Sequence, residues 1–248
     1  MKISIITVSY NSAKTIRDTI DSVIQQNYHD IEYILVDGKS TDNTIEIIKS
    51  YGNKISKFIS ESDKGIYDAM NKGIQLASGD IIGILNSDDF YADADVLKNV
   101  ANHFTVSIDG LYADLVYVDA LNTTKIIRTW KSGAYKEGAF LKGWMPPHPT
   151  FFVRRKVYQN FGDFTNQLKS AADYELMLRF IHKEKIKVAY LPKIIVKMRA
   201  GGASNSSIKN RIKANKEDRM AWKMNGLKPG VFTLIRKPLS KLNQFFKK

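Results

Sequence analysis

Two adjacent carboxylates, Asp88-Asp89, stand just after an apolar run, Ile81-Ile82-Gly83-Ile84-Leu85, with Asn86-Ser87 between them. The run has the length and composition of a buried strand. Two like charges side by side cost free energy unless a cation or a proton offsets them. Where a parallel strand meets its loop, that cation is often a divalent metal holding phosphates, and Mg2+ and Mn2+ prefer such oxygen ligands. The chemistry this favours is the handling of a nucleotide or another phosphorylated ligand.

Two more polar clusters follow apolar strands: Thr7-Val8-Ser9-Tyr10-Asn11 and Asp37-Gly38-Lys39-Ser40-Thr41-Asp42. Each has a plainer reading. Asn11 or Ser12 caps a helix, Asp37-Gly38 makes a turn, and Asp88-Asp89 starts a loop. Their shared place at strand ends favours one joint site, because ligands of an open parallel sheet bind beyond the carboxyl ends of its strands.

The elements that must position these clusters alternate. Strand patterns cover Lys2–Val8, Ile31–Val36, Lys57–Ser60 and Ile81–Leu85. Helical patterns lie between them. Ser12–Gln26 carries Ile16, Ile20, Val23 and Ile24 on one face, and Asn43–Tyr51 begins with Asn43 and Glu46 at capping-box spacing. The third helix shows Ile66, Met70, Ile74 and Ala77. This order predicts an α/β fold with a mostly parallel, Rossmann-like sheet flanked by helices. After Asp89 the pattern loosens to a helix over Asp95–Phe104, strands over Gly110–Asp119, Lys125–Trp130, Thr150–Val153 and Val188–Leu191, and a helix over Ala171–Lys183. The reading divides the chain into a body, 1–204, and a basic helical C-terminal extension, 205–248, with a polar helix near Ser207–Asn225.

The 248 residues, 44% of them hydrophobic, suffice for one sizeable core. No cysteine is present, which excludes disulfides and thiolate metal sites and fits a reducing cytoplasm. No segment approaches the roughly 20 apolar residues that span a bilayer. The net charge of +13 is unevenly spread: Lys197–Lys248 holds 14 Lys+Arg against 2 Asp+Glu. From Val231 on, Phe232, Leu234, Leu239, Phe245 and Phe246 mix with Arg236, Lys237, Lys241 and Lys247. Such a stretch suits an anionic membrane surface.

The chain resembles family 2 glycosyltransferases of the GT-A fold. The resembling residues are Ile5-Ile6-Thr7-Val8-Ser9-Tyr10-Asn11, Leu35-Val36-Asp37-Gly38-Lys39-Ser40-Thr41-Asp42, and Ser62-Asp63-Lys64-Gly65-Ile66-Tyr67-Asp68-Ala69-Met70-Asn71-Lys72-Gly73. Leu85-Asn86-Ser87-Asp88-Asp89, His148-Pro149-Thr150 and Ala171-Ala172-Asp173 continue the likeness. Gly38-Lys39 departs from it, because the family often has Asp-Gly there. The resemblance implies an inverting transfer from a nucleoside-diphosphate sugar, a UDP-sugar by first expectation, to a saccharide acceptor in surface polysaccharide or glycan synthesis.

It also implies roles. Val8 and Tyr10 line the base pocket beside Asn11, and Asp37 bonds the base or ribose. Asp68, Asn71 and Lys72 lie near the donor. Asp88 is on the ribose side, and Asp89 binds Mn2+ or Mg2+ against the diphosphate. Asp173 is the base that takes the acceptor's proton, although Ser170 to Asp173 also has capping-box spacing. His148 and Arg199 are possible acceptor or phosphate contacts. The stretch from Arg199 to Ser204 is a candidate closing loop.

With the basic tail, the expected acceptor is lipid-linked and the expected location is the inner face of the cell membrane, held peripherally. Competing classes are fewer. A dinucleotide oxidoreductase lacks its Gly-x-Gly-x-x-Gly after the first strand. A nucleic-acid binder has only the tail's charge and no recognised motif, so no specific nucleic acid is expected. A nucleotidyltransferase would use similar carboxylates but release pyrophosphate.

Overall fold

The computed structural model describes residues 1–201, 208–230 and 233, and for 208–214 the backbone alone. The basic amphipathic stretch from Val231 onward, Thr233 excepted, lies outside the described residues, as does the candidate loop beyond Gly201.

The first half runs β1 (Ile3–Ser9), α1 (Ile16–Ile24), β2 (Ile31–Asp37), α2 (Thr44–Lys49), β3 (Lys57–Ser60), α3 (Ile66–Leu76) and β4 (Ile81–Ile84). The second half runs β5 (Phe90–Tyr91), α4 (Val96–His103), β6 (Gly110–Val118), β7 (Ile126–Trp130), β8 (Phe152–Arg154), α5 (Arg155–Phe161), α6 (Ala172–Met177), β9 (Val188–Arg199) and α7 (Ile208–Met224).

The strands form one sheet in the order β3-β2-β1-β4-β8-β6-β9-β5, with β7 beside β6. β1 pairs in parallel with β2 and β4, and β2 with β3. β8 is antiparallel to β4 and β6, while β6 and β9 run parallel. The carboxyl ends of β1, β2, β4, β6 and β9 therefore meet at one edge.

Helices on both faces explain why β1 is buried along its whole length rather than at alternate residues. On α1, Ile16, Ile20 and Val23 are buried as the spacing predicts, and each such side chain contributes about 1.5–3 kcal/mol. On α3, a Cβ added at Gly73 would lie 2.3 Å from Cγ2 of Ile6, so only glycine lets this helix come so close to the sheet.

Some expectations needed correction. Asn43 makes no capping hydrogen bond. Asp42 does that work one residue earlier, accepting from the Thr44 N–H at 3.0 Å and from the Ala13 N–H at 3.1 Å. The helix expected over Ala171–Lys183 is α-helical only to Met177 and continues as a π-helical turn over Leu178–Lys183. The last strand does not stop at Leu191. Pro192 cannot donate to the ladder, and the register slips there before pairing resumes as far as Arg199.

The C-terminal helix α7 is packed onto the body. Trp222 is 1% exposed and donates to the Tyr174 hydroxyl at 2.8 Å. The Glu217 carboxylate accepts from the Ser170 N–H at 2.7 Å and the Lys169 N–H at 3.1 Å, at the start of α6. Among the described residues no helix is long and apolar enough to cross a membrane.

Candidate functional site

A cavity of about 1240 Å³ opens at the edge where the parallel strands end. Val8, Tyr10, Asn11, Asp88, His148 and Asp173 all line it. Residues separated by more than 160 positions thus face one space. Asp37, Asp68, Asn71, Lys72, Asp89 and Arg199 do not line it.

Beyond β1, Asn11 sits in the left-handed region at φ +49. Its Oδ1 accepts from the Thr41 N–H at 2.9 Å, and its own N–H donates to Ser40 Oγ at 2.8 Å. These bonds tie the first loop to the second. Tyr10 is 65% exposed even though its ring borders the cavity, so it offers a flat surface for a base.

Asp37 has a different place from the one expected. It is fully buried, and its carboxylate accepts from Ser9 Oγ at 3.0 Å, Ser60 Oγ at 2.8 Å, the Ser40 N–H at 2.8 Å and Ser40 Oγ at 2.5 Å. With its acceptor sites taken, it fastens the loops after β1, β2 and β3.

At the end of β4, Asn86, Ser87 and Asp88 border the cavity, with Asp89 enclosed behind them. Asn86 Nδ2 donates to Asp89 Oδ2 at 3.3 Å, while Asn86 Oδ1 and Asp89 Oδ1 are buried without a partner among the described residues. An unsatisfied buried acceptor costs about 1–3 kcal/mol, more when charged. Burial, reinforced by the neighbouring Asp88, pushes the Asp89 carboxyl well above its usual range. Burial also raises Asp88. Two orphaned hard oxygens beside a further carboxylate fit an Mg2+- or Mn2+-like ion. Among the described residues no group of three or more His, Asp or Glu forms a complete metal site. Such an ion would need further oxygens from a bound ligand.

Arg199 reaches this motif from behind. It is 7% exposed, its Nη1 donates to the Asp88 carbonyl at 2.8 Å, and its Nη2 pairs with Asp18 in the first turn of α1. Its guanidinium also lies 4.9 Å from the centre of the Phe90 ring. These contacts make Arg199 a brace of the Asp88 loop.

The residues expected on α3 hold walls rather than line the space. Asn71 clasps the backbone of Phe164, donating to its carbonyl at 2.8 Å and accepting from its N–H at 2.9 Å. Lys72 donates to the Ser62 carbonyl and pairs with Glu61, both at 2.8 Å. Asp68 accepts from the Lys64 N–H at 3.0 Å. Lys72 and Asp68 fix the loop from Glu61 to Gly65. That loop puts Asp63 on the cavity, a residue the sequence reading quoted but gave no role. Its position after β3 was the available signal, the same strand-end rule that singled out the other clusters.

The far wall joins α3 to α6. The Tyr67 hydroxyl donates to Asp173 Oδ1 at 3.2 Å, and the Tyr174 N–H donates to the same oxygen at 2.8 Å. Ser170 turns to Glu217, so the expected capping box does not form. Burial, then the nearby Asp173 charge, pushes the Tyr67 hydroxyl far up, so it remains a donor. His148 packs edge-on against Phe164, and Phe164 stacks on Tyr67 at 5.5 Å. Burial lowers the His148 pKa despite Asp173, which keeps the ring neutral at neutral pH.

Comparisons with known proteins bear on the family and the fold. The family model for glycosyl transferase family 2 matches residues 4–169, the stretch that carries the strand-end clusters. A PGL/p-HBAD biosynthesis glycosyltransferase of Mycobacterium bovis is 29% identical over 209 residues, covering 83% of this chain and 80% of the relative. An uncharacterized glycosyltransferase of Mycobacterium tuberculosis is 30% identical, covering 71% of this chain and 68% of its own length. Among solved structures, S. aureus TarS in complex with UDP-GlcNAc superposes with a TM-score of 0.70 at 20% identity, covering 99% of this chain and 73% of TarS. The mannosyltransferase PcManGT from Pyrobaculum calidifontis, in complex with GDP-Man and Mn2+, gives 0.68 at 17% identity, covering 97% and 69%. The fold is that of GT-A enzymes, as the sequence resemblance implied.

Proposed function

The chain belongs to glycosyl transferase family 2, and on that premise we propose that it moves a sugar, with inversion, from a nucleoside-diphosphate donor to a hydroxyl of a saccharide acceptor. The observation that carries this reading is the cavity that the strand-end residues share. Tyr10 and Asp88 line it together with Asp173 and Tyr67, whose hydroxyl donates to Asp173.

On the donor side, the exposed Tyr10 ring takes the base and Asp88 faces the nucleotide. Asn86, Asp88 and Asp89 are the residues that would hold Mg2+ or Mn2+, and such an ion supplies positive charge to a leaving diphosphate. The two unpartnered oxygens support that assignment.

On the acceptor side, Asp173 is the general base. Its Oδ1 is engaged by Tyr67 and Tyr174, which leaves Oδ2 for the acceptor hydroxyl. As the acceptor oxygen attacks the anomeric carbon, its proton passes to Asp173 and the bond to the diphosphate oxygen breaks. Attack from the face opposite the leaving group inverts the anomeric centre. A fixed base of this kind contributes about 10²–10⁴-fold to rate. Neutral His148, beside Asp173 on the wall, is positioned to hydrogen-bond the acceptor sugar.

The basic stretch from Val231 to Lys248 supports a lipid-linked acceptor met at an anionic membrane surface. Chains truncated after Gly230 should lose sedimentation with anionic liposomes while keeping donor turnover on a soluble acceptor. Undiminished sedimentation would contradict the membrane assignment. The sugar transfer itself is tested by nucleoside-diphosphate release over a panel of nucleotide sugars, with and without Mn2+. Metal-dependent release of a nucleoside diphosphate is expected, and pyrophosphate release instead would contradict it.

A further inference from the structure

The turn that leads into α6 is fastened from α7, a helix beyond the residues that the family model matches. α6 has no side-chain cap of its own at Ala171. Ser170 Oγ donates instead to Glu217 Oε2 at 2.9 Å. The same oxygen accepts from the Ser170 N–H at 2.7 Å and the Lys169 N–H at 3.1 Å. Hydrogen bonds to a carboxylate are stronger than neutral ones. Lys169 and Ser170 both line the cavity, three and four residues before Asp173.

α7 grips α6 at two more points. Trp222 Nε1 donates to the Tyr174 hydroxyl at 2.8 Å, and Asn225 Nδ2 donates to Glu175 Oε1 at 3.0 Å. Asp173 therefore lies between Ser170 on one side and Tyr174 and Glu175 on the other, all three held by α7. The contacts divide the work. Trp222 and Asn225 are buried and anchor the helix, while half-buried Glu217 reaches to the cavity wall.

We propose that Glu217 is a positioning residue for sugar transfer. By holding the backbone of Lys169 and Ser170, it sets where the first turn of α6 carries Asp173. This rests on the assignment of Asp173 as general base above. The Tyr67 hydroxyl fixes Oδ1 of Asp173, and Oδ2 must meet the acceptor hydroxyl. A side chain keeps that geometry only while its backbone stays in place, and a shift of about 1 Å can cost about 10²-fold in rate. The groups assigned to the donor, Tyr10, Asp88 and Asp89, stand on loops after other strands. Loss of Glu217 should therefore lower transfer and leave donor binding intact.

The test is a double-mutant cycle between Glu217 and Asp173 in the full chain. Acceptor-dependent release of nucleoside diphosphate is measured in Mn2+ buffer on UDP-, GDP- and dTDP-sugars with free and lipid-linked saccharides, and the fastest pair is taken forward. Rates are expressed per donor-binding site found by isothermal titration, so that unfolded chains do not count. Glu217→Ala should lower kcat at least about tenfold, with donor Kd within about twofold of wild type. Glu217→Gln keeps an acceptor oxygen at the same reach and should recover kcat to within about threefold. In an Asp173→Asn background, Glu217→Ala should change the residual rate by less than about twofold, because no base is left to misplace. If Glu217→Ala keeps wild-type kcat, or lowers the rate by the same factor in both backgrounds, Glu217 does not act through Asp173. If Asp173→Asn itself transfers at a near-normal rate, the base assignment fails and takes this inference with it.

Discussion

The Arg199 guanidinium donates to the backbone carbonyl of Asp88 at 2.8 Å, linking the last residue of β9 to the acidic motif after β4. Its second arm pairs with Asp18 at the start of α1. One side chain therefore fixes the loop that borders the donor side. Arg199→Met should raise donor KM at least about tenfold, cut kcat less, and lower stability by about 1–3 kcal/mol. Asp18 is more than half exposed, so the ion pair alone contributes little of this. Arg199→Lys keeps the charge but not the fork, and should recover only part of the loss. Steady-state kinetics with thermal melting checks this. An unchanged donor KM in Arg199→Met would show that the loop needs no brace.

Tyr67 and Asp173 form the corresponding contact on the acceptor side, at 3.2 Å. Tyr67→Phe removes one hydrogen bond from the carboxylate and leaves the stacked ring in place. A loss of about tenfold in kcat, with donor KM within about twofold of wild type, is expected for a hydrogen bond to a charged group. A rise in donor KM without loss of kcat would place Tyr67 on the donor side instead.

The metal-binding assignment predicts a sharp response at Asp89. Chelation should abolish turnover, and Mn2+ or Mg2+ should restore it. Asp89→Asn should require a higher metal concentration for half-maximal rate. Its fold should survive, because the substitution removes a charge that burial and Asp88 already penalise. Circular dichroism and a metal titration read the two effects separately. Wild-type metal dependence in Asp89→Asn would remove this residue from the metal site.

Glu32 governs acid stability at the opposite edge of the sheet. Burial raises its pKa, but hydrogen bonds from Ser4, Ser78 and Lys57 outweigh that and hold the carboxyl far below its usual range. A folded pKa below the unfolded one gives stability that is full above the unfolded value, about 4.3. That stability is lost as pH falls toward the folded value. Glu32→Gln should cost about 2–3 kcal/mol at pH 7. Its melting temperature should approach that of wild type as the pH drops below about 4. A gap that stays constant with pH would contradict this.

The parallel half of the sheet and the strand-end rule were legible because each depends on local pattern. Apolar runs such as Ile81–Leu85 and the Ile16, Ile20, Val23 face read directly as buried elements. What escaped depends on contacts distant in sequence. Asp37 and Asp63 are both acids after strands, and only the packing of three loops shows that the first is saturated while the second keeps an oxygen free. Arg199 was legible as a functional cation but not as a brace, because its position follows from a strand that continues past Pro192. The Asn71 clasp on Phe164 likewise joins segments far apart in the chain.

Asp173→Asn tests the central claim most directly, by comparing donor binding with sugar transfer in one variant. Donor affinity by titration should stay within about twofold of wild type, while acceptor-dependent release of nucleoside diphosphate should fall by about 10²–10⁴-fold. Near-normal release by Asp173→Asn would contradict the account, since the base would then lie elsewhere in the cavity.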